Sequence, residues 1–333
     1  MPNFALISTA HSHTPAYVDT IRNRDGCDLV AIWDDIEDRG RRFANRAECE
    51  FFSHLDDVIS RDDVDGFLIC SSNTQHLPLL QATIPMGKPI FCEKPFTTTV
   101  ADAIAALELI AQHHTVTLMG YFMPFWAEMQ EIATLIASDY FGKITHAWMR
   151  NSHAAAYRRL FDDSDLVWFT DPAQSGGGAF MDLGTHAVHL VRTLFGPVDR
   201  VCAQIDNVSG IYPSVDDYGT AQFEMRSGIH VTVEASWVQT GGHSGLELTG
   251  SDSTLFNHPD QGYVVKKGDD FRALSQAVAR PTRIERLAGA IEGSVTSEEL
   301  QADLVCAADA VAIVAACYRS NEEKKWIDVE KIV

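Results

Sequence analysis

Over the first 120 residues, short apolar runs alternate with amphipathic segments. Phe4 to Thr9, Leu29 to Trp33, Phe67 to Cys70, Pro89 to Cys92 and Thr115 to Met119 read as buried strands. Pro15 to Arg22, Glu37 to Asn45, Gln75 to Met86 and Val100 to His113 carry helical periodicity between them. Strands that alternate with helices predict an α/β Rossmann-type domain, with a parallel sheet wound on both faces. Ligands of such sheets bind at the carboxyl ends of the strands, near the switch in strand order.

Beyond residue 120 the rhythm changes. Pro124 to Ser138 reads as a helix, and longer alternating runs follow at Lys143 to Asn151, Val198 to Ile205, Tyr218 to Met225 and Ile229 to Val238. The last two flank Arg226-Ser227-Gly228 as a hairpin. Helices are expected at Gly178 to Phe195 and Glu298 to Tyr318, and loops over Ser251 to Gly293. The pattern predicts an α+β domain with a large, mostly antiparallel open sheet. The boundary falls after residue 120, giving domains 1–120 and 121–333.

Composition narrows the function classes. The chain has 333 residues, a length suited to two domains, with 46% hydrophobic and 22% charged residues. A formal charge of -20 argues against nucleic acid and anionic membranes as partners. No uninterrupted apolar run reaches the roughly 18 residues of a membrane span, since Asp309 breaks Leu304 to Tyr318. No basic segment precedes the first apolar residues, so a cytoplasmic location is expected. Seven scattered cysteines, none in a C-x-x-C pair, read as reduced core residues rather than structural zinc ligands.

Candidate chemistry lies just after the strands. Ser8-Thr9-Ala10-His11-Ser12-His13 stands where a dinucleotide fold carries its glycine-rich turn. Ser8, Ala10 and His13 replace the glycines, so Thr9, Ala10, His11 and His13 are expected to line a cofactor through hydroxyls and a helix N-terminus. His-x-His also suggests a metal, but neighbouring residues of an extended segment point to opposite faces, and no metal is expected. Asp34 ends the second strand, where a carboxylate accepts from an adenosine ribose; with Asp35 it disfavours a 2′-phosphate, which predicts NAD over NADP. A helix-start acid has the same signature. Ser71, Asn73 and His76 follow the third confident strand and suit contact with a ribose or nicotinamide, though a plain capped loop fits as well. Glu93-Lys94-Pro95 puts two charges at the end of a buried strand. Gly176-Gly177-Gly178 opens a helix on which Asp182 and His186, four apart, share a face and can hydrogen-bond, an arrangement suited to proton transfer.

Together, Asp34, Asn73 to His76, Glu93-Lys94-Pro95, Gly176 to His186 and the closing Ala316 to Ser320 resemble the glucose–fructose oxidoreductase, inositol dehydrogenase and rhizopine catabolism family (Gfo/Idh/MocA). The resemblance spans nearly the whole chain. It implies a Rossmann domain, an open-sheet domain, and NAD- or NADP-dependent oxidation or reduction of a sugar, polyol or related compound. It also implies that Lys94 contacts nicotinamide and substrate, that His186 is the acid/base, and that Asp182 supports them, with both catalytic groups facing an inter-domain cleft.

Two departures from the family stand out: the glycine-poor first loop, and Phe122-Met123-Pro124 after Gly-Tyr, where polar residues are common. With Trp168 and Trp237, the second points to a more apolar pocket that accepts a glycoside, while the first bears on how a pyrophosphate is held. A lyase or glycoside-cleaving enzyme using transient oxidation, and a non-catalytic sensor, are the rival readings. A homodimer or homotetramer formed through an apolar face of the large sheet is expected.

Overall fold

The computed structural model describes residues 2–24, 26–274 and 281–332. The chain forms two compact units. The first comprises Met1–Gly120, Phe161–Gly176 and Pro281–Ala308, and the second Tyr121–Leu160, Gly177–Arg280 and Asp309–Val333.

The first unit runs β1 (Asn3–Ile7), α1 (Thr14–Arg22), β2 (Asp28–Trp33), α2 (Glu37–Ala47), β3 (Glu50–Phe52), α3 (Leu55–Ile59), β4 (Gly66–Ile69), α4 (His76–Thr83), β5 (Ile90–Cys92), α5 (Val100–His113) and β6 (Thr117–Met119). All pairings are parallel, in the order β3-β2-β1-β4-β5-β6. The order reverses between β1 and β4, which makes their carboxyl ends the switch point. Strands β4, β5 and β6 are buried at every position, as expected of a sheet covered on both faces. That continuous burial is why they read as plain apolar runs.

In the second unit, α6 (Ala127–Ala137) precedes β7 (Ile144–Ser152). A short helix α7 (Pro172–Ser175), part of the first unit, comes before α8 (Thr185–Phe195), then β8 (Val198–Asp206), β9 (Tyr218–Met225) and β10 (His230–Ser236). Four further strands follow: β11 (Gly245–Gly250), in a stretch assigned no element, and, where loops were expected, β12 (Thr254–His258), β13 (Gly262–Lys267) and β14 (Asp270–Ala273). Residues 275–280 of that expected loop lie outside the described residues, and α9 (Arg283–Ile291) comes after them. The long α10 (Ser297–Glu323) and β15 (Ile327–Asp328) close the chain. The nine strands are ordered β14-β13-β12-β11-β7-β10-β9-β8-β15, with β7 and β10 the one parallel pair among the described strands of this sheet.

The second sheet is two-faced. Ala147, Met149, Val231, Val233, Ala221 and Phe223 are buried on one side, where α8 packs on β7 and β10. The residues between them form the other side, and apart from Trp148 they are polar. There Arg150 pairs with Glu234 at 3.1 Å and lies over the Trp148 ring, while Arg200 pairs with Glu224 at 2.7 Å. The expected apolar face is therefore corrected: period-two alternation puts Arg150, Glu234 and Glu224 opposite the side that α8 covers, and Arg200 pairs across to Glu224.

Helix α10 also corrects the reading that no segment is long and apolar enough for a membrane. Its 27 residues pass that test despite Asp309, whose carboxylate is neutralised by Arg192 at 2.6 Å. Val311, Ile313, Val314 and Cys317 are buried within the protein, as in the core helix of a globular fold.

Candidate functional site

In the first unit, the loop after β1 turns sharply. Ser8, at the first glycine position of the usual turn, takes φ 63°, and the Ser8 amide donates to the Trp33 carbonyl at 2.7 Å. A left-handed serine costs on the order of 1 kcal/mol that glycine would avoid. The turn leads directly into α1, so His11 and His13 are not spread along an extended segment. Their rings lie 4.5 Å apart and both face Glu93. This overturns the expectation that they diverge.

Glu93, at the end of β5, is fully buried. It meets the His13 Nδ1 at 3.0 Å, accepts from Arg283 at 2.9 Å, and accepts from the Tyr17 hydroxyl. Burial pushes its carboxyl up, but the charges of His11, His13 and Arg283 outweigh this and hold it well below the usual carboxylate range. Tyr17 is pushed up by burial and by Glu93, so it remains a neutral donor. His11, His13 and Glu93 are close enough to hold a metal ion. Arg283 Nη1, however, lies 2.9 Å from Glu93 and 3.1 Å from His13 Nδ1, which places a fixed positive charge there.

Lys94 follows Glu93 and is 2% exposed. Two contacts fix its backbone. A Cβ on Gly120 would lie 2.6 Å from Glu93 Oε2 and 2.8 Å from the Lys94 amide, so only glycine lets β6 end this close. His76, fully buried at the start of α4, donates from Nδ1 to the Pro95 carbonyl at 2.7 Å. Burial lowers its pKa to about 4, against the opposing pull of that carbonyl, so the ring is neutral. The structure thus gives His76 the task of holding the turn that carries Lys94.

Asp34 is also buried. Its carboxylate accepts from the Thr9 amide at 2.6 Å, the Thr9 hydroxyl, the Ile36 amide at 2.7 Å, and Arg39 at 3.1 and 2.7 Å. Arg39 also binds Asp35 at 2.8 Å. Sequence reasoning missed Arg39, as it missed Tyr17 and Arg283. Ala10 receives the Trp168 indole N–H at 3.0 Å. Ser71 is buried beside Ser72, and Asn73 donates to the Ser175 carbonyl at 2.8 Å. Ser8 Oγ and Asn73 Oδ1 are buried with no hydrogen-bond partner among the described residues. Unsatisfied polar atoms at the carboxyl ends of β1 and β4 fit a dinucleotide, whose hydroxyls and phosphates would satisfy them.

In the second unit, the glycine run opens a π-helical turn at Phe180–Gly184 that continues into α8. Asp216 caps it, accepting from the Gly178 amide at 2.9 Å, the Phe180 amide at 2.8 Å and the Tyr318 hydroxyl at 2.8 Å. A Cβ on Gly178 would lie 1.8 Å from the Asp216 carbonyl oxygen, which explains the glycine. Asp182 accepts from the Trp237 indole at 3.0 Å. His186 is 4% exposed, with Phe122 at 4.6 Å and Tyr121 at 5.8 Å between ring centroids. Tyr121 stacks on His189 at 4.0 Å and shares a 2.8 Å hydrogen bond with Thr185. Trp168 and Trp237 are corrected as pocket walls: both are buried, and both indole N–H groups serve the framework.

Comparison with known proteins places this geometry. Residues 4–121 match the model of an oxidoreductase family with an NAD-binding Rossmann fold, and residues 129–256 match a GFO/IDH/MocA C-terminal domain. Inositol 2-dehydrogenase 4 of Saccharopolyspora erythraea is 25% identical over 233 residues, 68% of this chain and 69% of that protein. A D-xylose 1-dehydrogenase [NADP(+)] of Haloarcula marismortui is 24% identical over 242 residues, 70% of this chain and 66% of that protein. For two further curated relatives the match covers 45% and 68% of their length. A solved levoglucosan dehydrogenase, in complex with NADH and L-sorbose, shares the fold with a TM-score of 0.82, 18% identity and 100% coverage of both chains.

Proposed function

We propose that this chain, which belongs to the GFO/IDH/MocA family of NAD-binding oxidoreductases, oxidises a secondary alcohol of a sugar, polyol or glycoside, or reduces the corresponding ketone. The observation that carries the reading is Lys94: a buried lysine at the carboxyl end of a parallel strand, fixed by Gly120 and His76. Residues 1–120 are read as the cofactor-binding part and 121–333 as the substrate-binding part. Location in the cytoplasm, among small-molecule metabolites, is part of the proposal.

A nicotinamide, when bound, accepts or donates the hydride. Thr9, Ala10, His11, His13, Ser71, Asn73 and Glu93 belong to the cofactor side. Their loops lie at the ends of β1, β4 and β5. Asp34 and Asp35 outnumber Arg39, so the local charge still disfavours a 2′-phosphate, and NAD is the proposed partner. The chain's own chemistry concerns the proton on the substrate hydroxyl. His186 takes it from the oxygen, and the Lys94 ammonium stabilises the alkoxide that develops. Asp182, held by Trp237, supplies negative charge on the same turn of the second unit.

The test is a screen of sugars, polyols and glycosides with NAD and NADP, followed by His186→Ala and Lys94→Ala on the best substrate. Each variant should lower turnover by about 10²–10⁴-fold, with NAD affinity nearly unchanged for His186→Ala. Retention of more than about a third of wild-type turnover by both refutes the assignment. Stoichiometric reduced cofactor is expected; product formed without it would favour a lyase that re-reduces its own intermediate.

A further inference from the structure

We propose that the second unit holds a subsite for a second ring attached to the reacting one, so that the substrate is a glycoside with a cyclic aglycone or an oligosaccharide. The inference rests on the proposed sugar-dehydrogenase reading and names its substrate class.

Two aromatic rings lead away from His186. Phe122 lies 4.6 Å from it, and Trp126 lies 5.3 Å from Phe122. Trp126 is 45% exposed, whereas Trp168 and Trp237 are 4% and 0% exposed. Its indole is therefore a large apolar surface that the fold leaves uncovered. It lines a cavity of about 520 Å³, a volume of the class that holds drug-sized ligands rather than one small alcohol.

The lining matches the two-sided chemistry of a sugar or aryl ring. Met123, Met129 and Met149 join Trp126 as the apolar wall, which C–H or ring faces can cover. Glu128 and Asn151 supply charge and hydrogen bonds at the same cavity. Asn151 is already held in place, its amide donating to the Leu183 carbonyl at 2.9 Å. The floor is built as well. Tyr263 accepts from the Leu246 amide at 2.9 Å, and its oxygen occupies the space a Cβ on Gly245 would need, at 2.7 Å. Its hydroxyl proton remains to donate to a ligand oxygen. A preorganised site of this kind loses little entropy on binding.

The experiment is isothermal titration, in the presence of NAD, with paired methyl and phenyl β-D-glucopyranosides, galactopyranosides and xylopyranosides. In at least one pair the phenyl compound should bind about tenfold more tightly. That ratio should fall toward one in Trp126→Ala and persist in Trp126→Phe, which keeps a ring at the exposed position. Equal affinities throughout the wild-type pairs, no measurable binding of any glycoside, or a phenyl preference that survives Trp126→Ala overturns the subsite. The dehydrogenase reading fails on a different signal, the absence of nicotinamide turnover, so the two outcomes are read independently.

Discussion

Glu93 has no contact with water and still ionises, because His11, His13 and Arg283 face it from three places in the sequence. Spacing made Glu93 and Lys94 conspicuous, since charges at the end of a buried strand need partners. Arg283, 190 residues away, carried no such signal, although the Thr282 and Glu285 capping box beside it marks a helix start. Asp34 was legible for the same reason as Glu93, but its engagement by Arg39 was not. The two buried groups near Lys94 respond to acid in separate windows. His76 has a folded pKa of about 4, below its ordinary value near 6.5. Between those values the unfolded chain binds a proton that the folded chain excludes, so stability falls as pH falls, by about 3 kcal/mol at the lower end. Glu93, whose folded pKa is depressed, contributes stability above its ordinary carboxyl range and loses it only as pH falls further. Urea denaturation at pH 7 and pH 5 should therefore show a larger loss in wild type than in His76→Asn. Equal losses would mean that His76 does not set this dependence.

At the scale of elements, the strongest constraint is the tight glycine entry to the π-helical turn. Gly178→Ala forces a methyl into the Asp216 carbonyl at 1.8 Å, and helix α8 cannot move away without losing its packing on β7 and β10. The variant should lose at least about 3 kcal/mol, measurable as a lowered denaturation midpoint. A midpoint unchanged from wild type would show that this entry is not tight. The glycine run and the helix after it were legible; Asp216 as the partner was not, because it lies in another loop 38 residues on. Strands β1 to β6 were largely readable, since burial on both faces gives unbroken apolar runs. The three-residue β3 was missed: it is an edge strand with one exposed and two half-buried positions. Strands β11 to β14 failed for a related reason. β12 buries one position, Leu255, and β14 none, so period-two alternation scarcely shows.

For the whole molecule, the polar character of the second sheet's open face changes what an assembly would look like. Arg200, Glu224, Arg150 and Glu234 lie where an apolar contact was expected. An oligomer is still proposed, but copies that each carry a net charge of -20 repel one another, so association should strengthen as salt screens that repulsion. Light scattering at raised salt should give at least twice the 36.7 kDa chain mass. A monomer there would refute this. The segmentation of the first unit has a consequence for how the protein is made. Its apolar cluster joins Phe4, Leu6 and Phe91 to Ile284, Leu287 and Ala288 of α9, so the cluster cannot close when Gly120 leaves the ribosome. At translation rates of about 5–20 residues per second, that interval is on the order of ten seconds or more. The nascent chain must carry an open hydrophobic groove throughout, which makes it a client for chaperones during synthesis in a way the finished enzyme is not.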